Sequence, residues 1–117
     1  MAFPQVHATL LILSAVGAVA GGAIILARHA RTMGARLHFV YASALAWWWM
    51  CMAIIATAES GAEVEFWSRL VHVSVGLLPG ITYHLNVALA GLQDCFRTRI
   101  RVHWGVSIVI TLFALFW

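Results

Sequence analysis

Residues 6–27, 37–58 and 70–93 form three long apolar runs without a single Asp, Glu, Lys or Arg. Each is longer than the roughly 20 residues a helix needs to cross a bilayer core of about 30 Å. A chain patterned in this way belongs in a membrane. Hydrophobic residues make up 63% of the sequence and charged ones 9%, with a mean hydropathy of +0.93, far from the balance of a soluble domain. The 117 residues leave room for one domain, residues 1–117, with little material outside the bilayer.

A fourth run, Val102 to Trp117, has 16 residues and is short for a span. Either it ends at the interface against a partner, or the chain is the first part of a longer one; the second reading is favoured. The expected fold is an all-α integral membrane bundle of four transmembrane helices, at about 6–27, 37–58, 61–93 and 102–117.

The cations are all Arg. Arg28, Arg31 and Arg36 follow the first run, and Arg97, Arg99 and Arg101 follow the third. Glu59, Glu63 and Glu65 occupy the remaining connection beside Arg69. Short basic loops stay on the cytoplasmic side, so the expected topology has the N-terminus and the 59–66 loop outside. The six inner arginines are expected to meet anionic lipid head groups. A phosphate or nucleic-acid patch would want aromatic or Gly-rich surroundings outside the membrane. The expected partners are therefore lipids and other transmembrane helices or subunits, with no nucleic acid. Met1–His7 carries no Lys or Arg, unlike the cationic start of a secretory signal, and the first run reads as a retained helix. Cys51 and Cys95 lie at different depths and suit neither a disulfide framework nor a metal site.

In the first span Ser14, Ala18 and Gly22 recur at four-residue spacing, as do Gly17 and Gly21. Small residues on one face let helix backbones approach closely in lipid. Trp47, Trp48 and Trp49 lie about 15 Å from the inner end of the second span, far from the head-group belt where Trp concentrates. They read as bulk beside the glycine face of the first helix, or as an aromatic wall around an apolar ligand or pigment. Ser60 and Glu63 have the spacing of a capping box, which starts the third helix near Gly61.

That third helix places His72, Gly76, Pro79, Tyr83, Asn86 and Ala90 on one small, polar stripe at three- and four-residue steps. Such a stripe is expected to face protein, with a kink at Pro79. Ser74, Thr82 or a water is expected to satisfy the carbonyl that Pro79 frees. His84 lies off the stripe, about 120° from His72. The two histidines are too far apart along one helix to share a metal or haem, and His7, His38 and His103 sit at poorly matched depths. Gly80-Ile-Thr-Tyr-His84 resembles the small-x-x-x-His arrangement with which light-harvesting helices ligate bacteriochlorophyll. Gly80 would leave room for the macrocycle and His84 would be the ligand. The alternative is a neutral His84 hydrogen-bonded to a neighbouring helix. No cofactor is required by the sequence. No acidic residue lies inside a span, so a Ser/His relay lacks its third member, and no catalytic residue is expected.

The order of these features resembles a family. A Trp in the second helix is followed by Glu63-x-Glu65-Phe66-Trp67-x-Arg69-Leu70, then Gly76-Leu-Leu-Pro79, then Tyr83-His84-Leu85, and Gly91 before a basic loop. The order is similar to the N-terminal seven-helix membrane region of bacterial sensor histidine kinases, over about residues 10–105. That resemblance implies an N-out, multi-pass protein of the bacterial cytoplasmic membrane, sensing a signal and coupling it to a cytoplasmic phosphotransfer domain. The sequence lacks helices five to seven, the phospho-accepting histidine and the ATP-binding domain, so no kinase activity is implied. Two functions follow as expectations: a non-catalytic sensory or signal-coupling module, or an accessory subunit of a larger photosynthetic or respiratory membrane complex.

Overall fold

The computed structural model describes residues 3–116. Four helices follow one another, α1 (Phe3–His29), α2 (Met33–Thr57), α3 (Gly61–Leu89) and α4 (Arg97–Phe116), with no strand among the described residues. Three of them, α1 from Pro4, α2 and α4, are long and apolar enough to cross a membrane. The 29 residues of α3 supply the length, but His72, Ser74, Thr82, Tyr83, His84 and Asn86 make it more polar.

Local hydrogen bonding explains where the helix ends depart from the apolar runs. The second helix begins at Met33 because Thr32 caps it, its Oγ1 accepting from the Ala35 amide at 3.2 Å. Arg36 therefore lies in the first turn of α2, and its Nε donates back to the Ala30 carbonyl at 2.9 Å. The third helix stops at Leu89, short of residue 93. Gly91 takes φ = 70°, the left-handed conformation that glycine adopts without a Cβ penalty. The Leu92 amide then reaches the Val87 carbonyl and the Gly91 amide the Ala88 carbonyl, both at 3.1 Å, which is a Schellman stop. The fourth helix starts at Arg97 and has 20 residues, so the run that reads as short is extended by a turn bearing Arg97, Arg99 and Arg101. At the start of α3 the Glu63 amide donates to Ser60 Oγ at 3.2 Å, while Glu63 Oε2 accepts from the Glu59 amide. The cap forms, with the carboxylate reaching one residue beyond Ser60.

The helices make an open bundle. α1 packs on α2, α2 on α3 and α3 on α4, and no other pair touches among the described residues. The result is a row, 50 × 35 × 16 Å in extent, with both broad faces uncovered. Leu10, Leu13 and Val16 of α1 and Val106, Val109 and Phe113 of α4 point outward and are exposed. An exposed apolar surface on this scale is a contact surface for lipid or protein.

The α1–α2 seam is built from Ala8, Ala15 and Gly22, with Leu11, Ala18 and Leu26 half-buried beside them. A Cβ on Gly22 would lie 3.0 Å from Ala42 Cβ and 3.4 Å from Phe39 Cδ2. The small-residue stripe expected from the sequence is thus rotated. Ala18 and Gly22 belong to the seam, but Ser14 and Gly17 are exposed, Gly21 is half-buried, and a Cβ on either glycine would meet nothing within 4 Å. Ser14 satisfies its hydroxyl on the Leu10 carbonyl at 2.9 Å and needs no neighbouring helix. The glycine face is filled by Phe39 and Ala42, not by the tryptophans. Trp47 turns instead toward α3, where its indole donates to the Leu70 carbonyl at 3.1 Å.

Candidate functional site

The seam between α3 and α4 carries the polar contacts of the molecule's interior. Gly76 and Gly80 are buried on α3, facing Thr111 and Ser107 of α4. A Cβ on Gly80 would lie 2.9 Å from Ser107 Oγ, and one on Gly76 would lie 3.1 Å from both the backbone N and Cα of Thr111. The two backbones therefore approach with only the small Ser107 and Thr111 side chains between them, as small residues permit in helix pairs.

Pro79 is exposed between the two seam glycines, Gly76 and Gly80, and brings a specific consequence. Lacking an amide hydrogen and clashing with the preceding turn, it opens the helix locally. The next amide, Gly80, donates to Ser107 Oγ across the seam at 2.9 Å. Ser107 is 1% exposed, and its carbonyl accepts from Thr111 Oγ1 at 2.8 Å. The Gly80–Ser107 bond serves an amide and not the carbonyl that Pro79 frees, and neither Ser74 nor Thr82 is placed to serve that carbonyl. Ser74 Oγ donates to Val71, three residues back, at 2.8 Å, and Thr82 points outward and is exposed. Backbone disturbed by the proline is tied down from the neighbouring helix.

The stripe expected to face protein is split by this geometry. Gly76 is buried and Tyr83 half-buried, its ring stacked on His103 at 3.9 Å between centroids and 15° between planes. His72, Pro79, Asn86 and Ala90 are exposed. The fourth helix covers the Gly76–Gly80–His84 line instead, because two glycines there admit its backbone. His72 Nδ1 lies 2.6 Å from the Ser68 carbonyl. A carbonyl only accepts, so Nδ1 carries a proton.

His84 is engaged by α4 as well. Trp104 Nε1 lies 3.2 Å from His84 Nδ1, with the rings edge-on at 90°. An indole can only donate, so Nδ1 supplies the lone pair and the ring proton sits on Nε2. A bacteriochlorophyll would need a free imidazole lone pair at His84 and a bare helix face at Gly80. Trp104 uses the first and Ser107 fills the second. These residues do not fit that pigment.

On the open side of the seam, Trp48, Leu78, Pro79, Thr82, Tyr83, Asn86 and His103 line a groove of about 640 Å³. The groove is shallow and open along its length.

Both basic connections lie at one end of the row, since a Cβ on Gly34 at the start of α2 would sit 3.2 Å from Leu89 Cδ2 at the end of α3. Arg28, Arg31, Arg36, Arg97, Arg99 and Arg101 are all exposed there, Arg99 lying 5.3 Å from the centroid of the Phe96 ring. The acidic connection is at the other end, where Arg69 pairs with Glu65 at 2.7 Å on the surface. Among the described residues no group of three or more His, Cys, Asp or Glu gathers as a metal site, and Cys51 is buried while Cys95 is exposed.

Sequence reasoning missed Trp104, Ser107 and Thr111 as the partners that define this site. Their three- and four-residue spacing on one face of α4 was the available signal. The shortness of the fourth apolar run hides it. No protein-family model, curated protein or solved structure matches the chain.

Proposed function

We propose that this chain is a non-catalytic sensory or signal-coupling module of a bacterial cytoplasmic membrane, with four spans and the N-terminus outside. The observation that carries this reading is the cross-helix hydrogen bond from the Gly80 amide, one residue past Pro79, to Ser107, beside an open and mostly apolar groove. A helix whose weak turn is tied at one point has two accessible arrangements, straight or bent, and an occupant of the groove would favour one of them. The sequence resemblance to the membrane region of sensor kinases supports the same reading. Signal transfer would pass down α3 to the basic inner connection.

The test is a distance between spin labels at Ala62→Cys and Ala90→Cys, flanking Pro79, in a chain with Cys51→Ser and Cys95→Ser. A straight helix of this length spans about 42 Å. The expected result is a two-component distribution that Pro79→Ala collapses to one component near that length. A single component unchanged by Pro79→Ala would remove the coupling reading.

Topology is tested separately. The positive-inside bias of the six arginines supports an inner location for the 90–96 connection. Cys95 is exposed, so a membrane-impermeant maleimide is expected to label it in inverted vesicles and to leave it unlabelled in intact cells. Labelling from the outside would reverse the orientation.

The uncovered faces of the row favour a second reading, an accessory subunit held among the helices of a larger complex. It predicts recovery of the chain with stoichiometric partner subunits after mild extraction, and helix distances indifferent to Pro79→Ala.

A further inference from the structure

The groove beside Pro79 is mostly apolar, walled by Trp48, Val75, Leu78 and Pro79, and its polar groups are all neutral hydrogen-bonding ones. Thr82 contributes a hydroxyl, Tyr83 a phenol, Asn86 an amide and His103 an imidazole, and no carboxylate or guanidinium takes part. None of these four side chains has a hydrogen-bond partner elsewhere in the described chain. Thr82 and Asn86 are exposed, opening directly into the groove. Water would satisfy such groups on a soluble protein. Facing hydrocarbon, each unpaired amide or hydroxyl costs on the order of several kcal/mol, so an occupant bearing hydrogen-bonding groups is favoured there.

Depth narrows the class. Tyr83 lies six residues before the end of α3 and His103 six after the start of α4, each about 9 Å from the inner helix ends. Thr82, Tyr83 and His103 thus lie below the inner head groups, at the shallow end of the hydrocarbon. Leu78 and Val75 continue the groove about 16–21 Å from that end, toward the bilayer centre, with Trp48 as an aromatic wall. The occupant has a polar ring at the shallow end and an apolar tail at the deep end. A phospholipid head group is disfavoured, because no cationic side chain in the lining would pair with its phosphate. A sterol offers one hydroxyl to four waiting groups.

We infer that this groove binds a quinone, a neutral flat ring whose carbonyls accept from the Asn86 amide, the Thr82 or Tyr83 hydroxyl and the His103 ring, with its tail along Leu78 and Val75. The inference rests on the membrane reading above and names the ligand of the same α3–α4 element. Because Pro79 lines the groove, occupancy would bear on the proline-opened turn.

The experiment uses the full chain in lipid nanodiscs with a short-tailed azido-benzoquinone as photoprobe and the parent benzoquinone as competitor. The expected result is saturable, competable labelling confined to the segments bearing Trp48, Thr82–Asn86 and His103. Asn86→Leu and Thr82→Val, both at exposed positions, are each expected to weaken binding about tenfold, the loss of one hydrogen bond to a neutral acceptor. The exposed Ser14→Ala is expected to leave binding unchanged. Labelling that never saturates and spreads over the lipid-facing sides of α1 and α4 would show partitioning only and overturn the site. So would a protein cross-link occupying the groove in native membranes, which would show a partner helix. Saturable labelling with spin-label distances indifferent to Pro79→Ala would keep the site and remove the coupling reading; the converse result would do the reverse.

Discussion

Replacing Gly76 by Leu is expected to detach α4 from α3 and to cost more stability than any other single change in the seam. At this position the obstacle is backbone. A Cβ on Gly76 would lie 3.1 Å from the Thr111 N and Cα as well as against its hydroxyl, and a helix backbone cannot rotate out of the way as a side chain can. Even Gly76→Ala must push the helices apart, and overpacking of this kind costs about 1–3 kcal/mol. The larger Leu also breaks register at the next turn, where Gly80 meets Ser107. Helix propensity opposes this loss by about 1 kcal/mol, since Gly is a poor helix former, so Gly76→Ala is expected near the lower end of that range. Gly17 is the matched control. Its Cβ would meet open space, so Gly17→Ala is expected to be neutral or mildly stabilising. Unfolding in bicelles, read by circular dichroism, measures both. Equal effects at the two glycines would show that the α3–α4 contact is not as close as the structure has it. Thr111→Ala removes the hydroxyl but leaves the backbone atoms, so it is expected to rescue Gly76→Ala only in part.

The contrast between those two glycines also shows how far the sequence can be read. Periodicity placed both on small-residue faces, and nothing within the chain distinguished a face that meets a helix from one that meets lipid. The structure separates them through the partner: α2 offers Phe39 and Ala42 to Gly22, and α4 offers Ser107 and Thr111 to Gly80 and Gly76. In a bilayer, apolar surface carries no information about which side is inside, because lipid tails are as apolar as Leu. Helix number was legible from the apolar runs, and the Ser60 cap from its motif. Helix ends were less so. Hydropathy marks where side chains change character, whereas the backbone stops at Gly91 by its φ of 70° and starts at Thr32 by its cap. The polar stripe of α3 was visible in sequence, but His84 and Tyr83 acquired their roles only when Trp104 and His103 came into contact with them. Those partners stand in a segment whose arginines pulled the apparent start of the helix inward.

Ser107→Ala is the other change expected to have a large effect, and its size should depend on Pro79. In the native chain the Gly80 amide donates across the seam to Ser107 Oγ at 2.9 Å, beside a turn that the proline has opened. Removing the hydroxyl deprives this buried backbone donor of its cross-helix acceptor. Interhelical side-chain hydrogen bonds in membranes average only about 0.6 kcal/mol, because the separated helices find other partners. An unsatisfied buried donor costs about 1–3 kcal/mol. The second figure applies here, since the Gly80 amide is fixed in the helix, and about 1.5 kcal/mol is expected. With Pro79→Ala the ring clash is gone, residue 79 donates to the Val75 carbonyl, and the Gly80 amide is expected to rest on the Gly76 carbonyl four residues back. Ser107→Ala in that background is expected to cost no more than the ordinary interhelical bond. The double-mutant cycle should therefore show a coupling of about 1 kcal/mol between residues 79 and 107, within the range of residues sharing one network. The same cycle read by the Ala62→Cys and Ala90→Cys labels should move in parallel. Ser107→Ala alone should broaden the two-component distribution, because the tie that limits the bend is gone. Additive energies together with unaltered distances would mean that Ser107 packs against Gly80 without holding the turn, and α3 would then have no tether at its weakest point.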